Sequence, residues 1–135
     1  MQDVAYLISR SCTTGWLDWI HGELWLLPTA LIRRGLGLAA TRANGLGRTV
    51  PDPLPQLPAN VFDRHAIRAE RRTNKVIAFD DVDRAALFQG RAWHGLNLVT
   101  KDDHSHKLWW LKEDPAYFVL VEALAAKLGS RLTRG

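Results

Sequence analysis

Apolar and polar positions alternate, cluster and then recur at helical spacing along this chain, and each pattern predicts an element. Between Thr14 and Leu27 the residues Trp16, Leu17, Trp19, Ile20, Leu24, Trp25, Leu26 and Leu27 predict a long, largely covered strand, with a bend or bulge at Gly22. Pro28-Thr29-Ala30 interrupts it, and Leu31 to Leu36 resumes as a second strand, so the pair reads as a hairpin with an uncharged tip. Gly37, Gly45 and Gly47, followed by Pro51, Pro53, Pro55 and Pro58, predict a long Gly/Pro-rich loop over 37–59. Asn60 is placed to cap an inserted helix near residues 60–73, with Val61, Phe62, His65, Ala66 and Ala69 on one side.

Farther on, Lys75 to Phe79 and Val82 to Phe88 read as short strands joined by the acidic turn Asp80-Asp81. Trp93 to Thr100 and Lys107 to Leu111 form a hairpin around the polar tip Lys101-Asp102-Asp103-His104-Ser105. A helix over 114–129 follows: Asp114 suits the N-cap and Pro115 the first helical position, while Gly129 closes it. Tyr117, Phe118, Val121, Leu124, Ala125 and Leu128 make its apolar stripe. Residues 1–13 are ambiguous between a helical turn and an added edge strand, and no internal repeat is visible. The whole predicts one α+β domain, mainly β, in which a C-terminal helix covers one end or face of a curved antiparallel sheet.

The phrases Gly22 to Arg33, Val76 to Val82 and Leu96 to Asp103, together with Leu108 to Leu111, resemble bacterial pleckstrin-homology-like domains. The resemblance covers most of residues 14–130 and is one of hydrophobic pattern. It implies a partly open barrel of about seven strands plugged by the final helix, used as a binding or scaffold module without catalysis. Phosphoinositide-binding members carry a basic cluster at the tip of the first hairpin. Here that tip is Pro28-Thr29-Ala30, with Arg33 and Arg34 farther along, which argues against an inositol-phosphate pocket.

At 135 residues, 47% apolar and 24% charged, the chain is large enough to bury a core without metal or disulfide support. The lone Cys12 forms no intrachain disulfide and suits a reducing, cytoplasmic setting. No apolar run approaches the length of a bilayer span, so any membrane contact is expected to be peripheral. The net charge of +4 is concentrated: residues 60–75 hold Arg64, Arg68, Arg71, Arg72 and Lys75 against Asp63 and Glu70. This helix face is expected either to be solvated and internally paired or to bind an anion, whether nucleic acid or an anionic membrane surface.

Candidate chemistry is sparse. Asp102, Asp103, His104 and His106 carry metal-ligand types, but a polar hairpin tip uses the same residues, so neither a metal nor a cofactor is expected. His21, His65 and His94 make no recognised nucleophile motif with Cys12, Ser9, Ser11, Ser105 or Ser130, so an enzyme with an unrecognised site is a minor alternative.

The tryptophans carry the leading expectation. Side chains alternate across a strand, so Trp109 and Trp110 face opposite sides, as do Trp16 and the pair Trp19 and Trp25. Aromatic residues on both faces require a second cover. Either the inserted helix, the proline-rich loop or the N-terminal segment supplies it, or Trp19, Trp25, Trp109 and Trp110 offer a surface for a protein partner or a second copy.

Overall fold

Among the described residues, nine strands form two sheets, with a helix packed between their open ends. The computed structural model describes residues 3–15, 18, 20–36 and 50–134. In chain order the elements are β1 (Val4–Cys12), β2 (Gly22–Leu26), β3 (Ala30–Gly35), β4 (Gln56–Pro58), α1 (Arg64–Glu70), β5 (Lys75–Ala78), β6 (Val82–Gln89), β7 (Trp93–Thr100), β8 (Ser105–Leu111), α2 (Ala116–Leu128) and β9 (Leu132–Arg134). The first sheet has the order β4-β1-β2-β3-β5 and the second β8-β7-β6-β9. All pairs are antiparallel except β6 with β9, which is parallel. The α+β, mainly β class is as expected. The sheets are open, not a closed barrel, and meet at one corner where Thr13 and Trp109 exchange backbone hydrogen bonds of 2.7 and 3.0 Å.

The hairpin of β7 and β8 follows the apolar pattern closely and α2 lies where a helix is expected, but the N-terminal third departs from the pattern. The ambiguous first residues form the nine-residue strand β1, central to its sheet. Its register against β2 shifts between Leu7 and Ser9 and again between Ser9 and Cys12. Those bulges erase the alternation that signals a strand. The long strand expected over 14–27 is only Gly22–Leu26. Ahead of that strand Asp18 accepts hydrogen bonds from the Thr14 and Ile20 backbone amides, and residues 16, 17 and 19 lie outside the described residues. Of the loop expected over 37–59, residues 37–49 lie outside the described residues, and Gln56–Pro58 is a strand, β4, paired with Val4–Tyr6. Phe79–Asp81 is a 3-10 turn that carries the chain from the edge of one sheet to the other, so β5 and β6 are not partners.

Two cores result. The larger, between the sheets and beneath α2, includes Ile8, Leu24, Leu31, Leu87, Leu96, Leu108, Trp110, Leu120 and Leu124. The smaller lies on the outer face of the first sheet, where Leu7, Trp25, Ile32 and Val76 meet Val50, Ile67 and the partly buried Phe62. The chain therefore covers its own outer sheet face with the proline-rich segment and α1. The inserted helix is capped by Asp63, whose carboxylate accepts from the Ala66 amide at 3.0 Å, and not by Asn60, which falls in a preceding 3-10 turn. Only Ile67 of this helix is buried; His65, Ala66 and Ala69 are exposed.

The C-terminal helix needs two corrections. Its buried stripe is Ala116, Tyr117, Leu120, Leu124 and Leu128, while Phe118 is 64% exposed. Asp114 does not cap it. The carboxylate is buried and accepts from Ser9 Oγ at 2.8 Å and from Ser11 Oγ at 2.5 Å, while the Leu111 amide donates to Ser11 Oγ. This cluster ties β1 to the end of β8, and its polar groups satisfy one another inside the core.

Arg33 anchors the other side of the first sheet. Its side chain is wholly buried beside Asp18 at 3.1 Å, and it donates to the carbonyls of Cys12, Ile20 and Thr73 and to Thr73 Oγ1. One guanidinium therefore holds Asp18 and Ile20, the end of β1 and the approach to β5 together. Gly22 makes room for it, since a Cβ there would lie 2.5 Å from Arg33 Nε.

Candidate functional site

Two concavities are built from residues with recognisable chemistry. The first is a groove of about 740 Å³ between β5 and the tip of the β7–β8 hairpin. Arg68 from α1, Arg72 from the turn that follows it, Lys75 from β5 and Lys101 from the hairpin tip line it, with Val76, Ile77 and Ala78 along one side. His104 and His106 complete it, alongside Asp81 and Asp102. The fold thus joins two features that the sequence keeps about 30 residues apart, the arginine cluster and the Asp/His tip.

Within the groove the charges differ in freedom. Arg68 donates to the Val76 carbonyl at 2.9 Å, capping an outward-facing group of the edge strand β5. Asp102 accepts from the Thr100 hydroxyl and the His104 amide, and its Oδ2 lies 2.9 Å from His104 Nδ1. The Thr100 hydroxyl, with His104 adding to it, holds the Asp102 carboxyl below its ordinary range, so it stays ionised at neutral pH. Burial, reinforced by the Lys75 ammonium, pushes the His106 imidazole below its ordinary value, and its buried Nδ1 finds no hydrogen-bond partner among the described residues.

The arginine cluster does not act as one row. Arg64 turns the opposite way and donates to Thr29 Oγ1 at 2.8 Å, which covers the β2–β3 turn. Glu70 pairs with Arg34 through two guanidinium nitrogens, and this contact holds Glu70 below its ordinary range. Arg71 packs beside Gly35, whose Cβ position lies 2.9 Å from Arg71 Cδ. Of the five cations singled out in sequence, Arg68, Arg72 and Lys75 converge; Arg64 and Arg71 do not. Lys101 was missed because hairpin pairing, not sequence proximity, brings it in.

The tryptophans separate in the same way. Trp25 is buried in the outer core, with its ring 5.1 Å from Phe62 at 60°, and Trp110 is 0% exposed beneath α2. Neither can present a surface to a partner, which corrects that expectation for both; Trp19 lies outside the described residues. Trp109 is half-buried on the opposite face from Trp110. Its ring meets Phe88 edge-on at 6.0 Å, lies 5.5 Å from Lys107 Nζ, and donates through Nε1 to Asn97 Oδ1 at 2.9 Å. With Phe88, Trp93 and His21 it walls the second concavity, of about 480 Å³. Nothing local in the sequence marks Trp93 as a site residue, and only the β7–β8 register places it beside Trp109.

Other reactive groups are quiet. Cys12 is buried, and burial pushes its thiol up to about 12, so it is not a thiolate at neutral pH. No three His, Cys, Asp or Glu residues among those described are grouped to hold a metal ion. No helix among the described residues is long and apolar enough to cross a membrane.

The histidines give the fold a pH dependence whose sign follows from their burial. His94 is buried against Tyr117 at 5.3 Å, and burial, then Lys112, lowers its imidazole; burial also lowers His21 and His106. The unfolded chain takes up these protons near 6.5, the folded chain only at lower pH. Stability present above pH 6.5 is therefore lost as the pH falls toward the folded values. We expect the urea midpoint to drop between pH 7.5 and 5.5, and His94→Gln to flatten that drop; an unchanged slope in the variant would remove His94 from the account.

Compared with family models and with curated proteins, the chain matches none.

Proposed function

We propose that this chain is a non-catalytic, pleckstrin-homology-like binding module that docks an acidic segment of a protein partner in the groove between β5 and the β7–β8 tip. The observation that carries the reading is the convergence of Arg68, Arg72, Lys75 and Lys101 on one groove with an apolar side. Seven longer strands, β1-β2-β3-β5 and β6-β7-β8, with α2 packed between them, support the pleckstrin-homology-like part of it. Asp81 and Asp102 stand among the cations, and fixed carboxylates disfavour a continuous row of phosphates. Ala78, with the largely buried Val76 and Ile77 behind it, gives the groove a shallow apolar wall, which suits a peptide that alternates acidic and apolar side chains.

The test reverses Arg72, Lys75 and Lys101 to Glu together, leaving Arg68 on the Val76 carbonyl. At low salt the wild type should bind a fluorescent peptide of alternating Glu and Leu more tightly than single-stranded RNA of equal charge or vesicles containing phosphatidylserine. The variant should lose on the order of tenfold or more in affinity for the peptide. Tighter binding of RNA or vesicles, or equal peptide binding by the variant, would reject the reading.

A further inference from the structure

The second concavity is distinct from the basic groove, and ring contacts and a hydrogen bond order its aromatic walls. We propose that it binds a small planar aromatic acid, a one- or two-ring system carrying a carboxylate. Its volume of about 480 Å³ is in the range of small-molecule pockets. Four rings line it in two edge-to-face pairs: Phe88 with Trp109 at 6.0 Å and 90°, and His21 with Trp93 at 6.3 Å and 82°. The Asn97 hydrogen bond and the Lys107 ammonium hold Trp109 from outside. Rings held this way offer flat contact area at little cost in ordering, which favours a flat apolar ligand body.

Charge selects the other end of the ligand. Asp18 is the only carboxylate among the described lining residues, and it is already engaged by Arg33 at 3.1 Å and by Thr14 and Ile20. Burial keeps the His21 imidazole below its ordinary value, so it is uncharged at neutral pH. Arg91 is then the charge left to act on a guest, at the exposed lip of the pocket. The turn from Gly90 to Trp93 places it there: the Gly90 amide donates to the Trp93 carbonyl at 2.8 Å, and a Cβ on Gly90 would come within 2.5 Å of that oxygen. A ring stacked among Phe88, Trp93 and Trp109 with its carboxylate toward Arg91 satisfies both parts of the pocket.

Naphthalene-2-carboxylate is the probe, titrated at pH 7.5 and followed by calorimetry and by intrinsic tryptophan fluorescence. Saturable one-to-one binding is expected, with 2-naphthylmethylammonium and cyclohexanecarboxylate each weaker on the order of tenfold or more. Arg91→Glu should weaken naphthoate to a similar degree, and Trp93→Ala should abolish saturation. Because Arg91 is an exposed turn residue, its variant keeps the test interpretable even where Trp93→Ala fails to fold. No saturable naphthoate binding by the wild type, equal binding of the ammonium analogue, or unchanged binding by Arg91→Glu would each overturn the proposal.

Discussion

Arg33→Ala is expected to lower the unfolding free energy by about 3–5 kcal/mol, the usual cost of removing one partner from a buried ion pair. The cost comes from what remains behind. Asp18 would keep its bonds to Thr14 and Ile20 but lose its countercharge, and the carbonyls of Cys12, Ile20 and Thr73 would lose a shared donor. Arg33→Lys should recover only part of this, because an ammonium cannot reproduce the guanidinium fork toward several carbonyls. Combining Arg33→Met with Asp18→Asn should cost less than the sum of the two single changes, by roughly 1–3 kcal/mol in a double-mutant cycle. Urea denaturation monitored by circular dichroism decides it; additivity would show that the pair is not coupled.

The second large effect separates the two adjacent tryptophans. Trp110→Ala should cost about 3–5 kcal/mol, since it empties the centre of the core under α2. That is a large share of the roughly 5–15 kcal/mol stability of an ordinary domain. Trp109→Ala should cost about 1–2 kcal/mol, as expected for a half-buried ring that retains Phe88 and Lys107 around the gap. Trp110 also contains its own control. Its indole N–H is buried without a hydrogen-bond partner among the described residues. Trp110→Phe removes an unsatisfied donor along with some volume, so the two effects oppose and the net change should be within about 1 kcal/mol. Equal losses for Trp109→Ala and Trp110→Ala would contradict the assignment of faces.

These residues also show what a reader of the sequence can and cannot see. The opposite orientation of Trp109 and Trp110 follows from strand geometry alone, and β7, β8 and α2 have local signals to match. The first strand has none. Ser9 and Ser11 occupy buried positions because Asp114, more than 100 residues away, supplies their partner, and bulges break the alternation around them. The same Asp114 reads locally as a helix cap, an equally good use for a carboxylate before Pro115. Thr14 to Leu27 looks like one strand because Asp18, whose carboxylate takes the Thr14 and Ile20 amides, is held by Arg33 from the neighbouring strand. Ile67 escaped the helical pattern because α1 begins only at Arg64, which shifts the buried face away from Val61 and Ala69. The candidate grooves were legible as residue types and not as sites: Lys101 joins Lys75, and Trp93 joins Trp109, only through pairing across strands.

The seam that unites the sheets has a consequence in time. Ser9 and Ser11 reach Asp114 across separations of 105 and 103 residues, and Thr13 meets Trp109 beside them. Loop-closure entropy opposes such contacts until the intervening hairpins have shortened the effective chain. Local hairpins such as β2–β3 and β7–β8 are therefore expected to form early, with closure of the β1–β8 corner as the slow step. A substitution at Ser11 should then mainly speed unfolding, while one in the β7–β8 turn should slow folding itself.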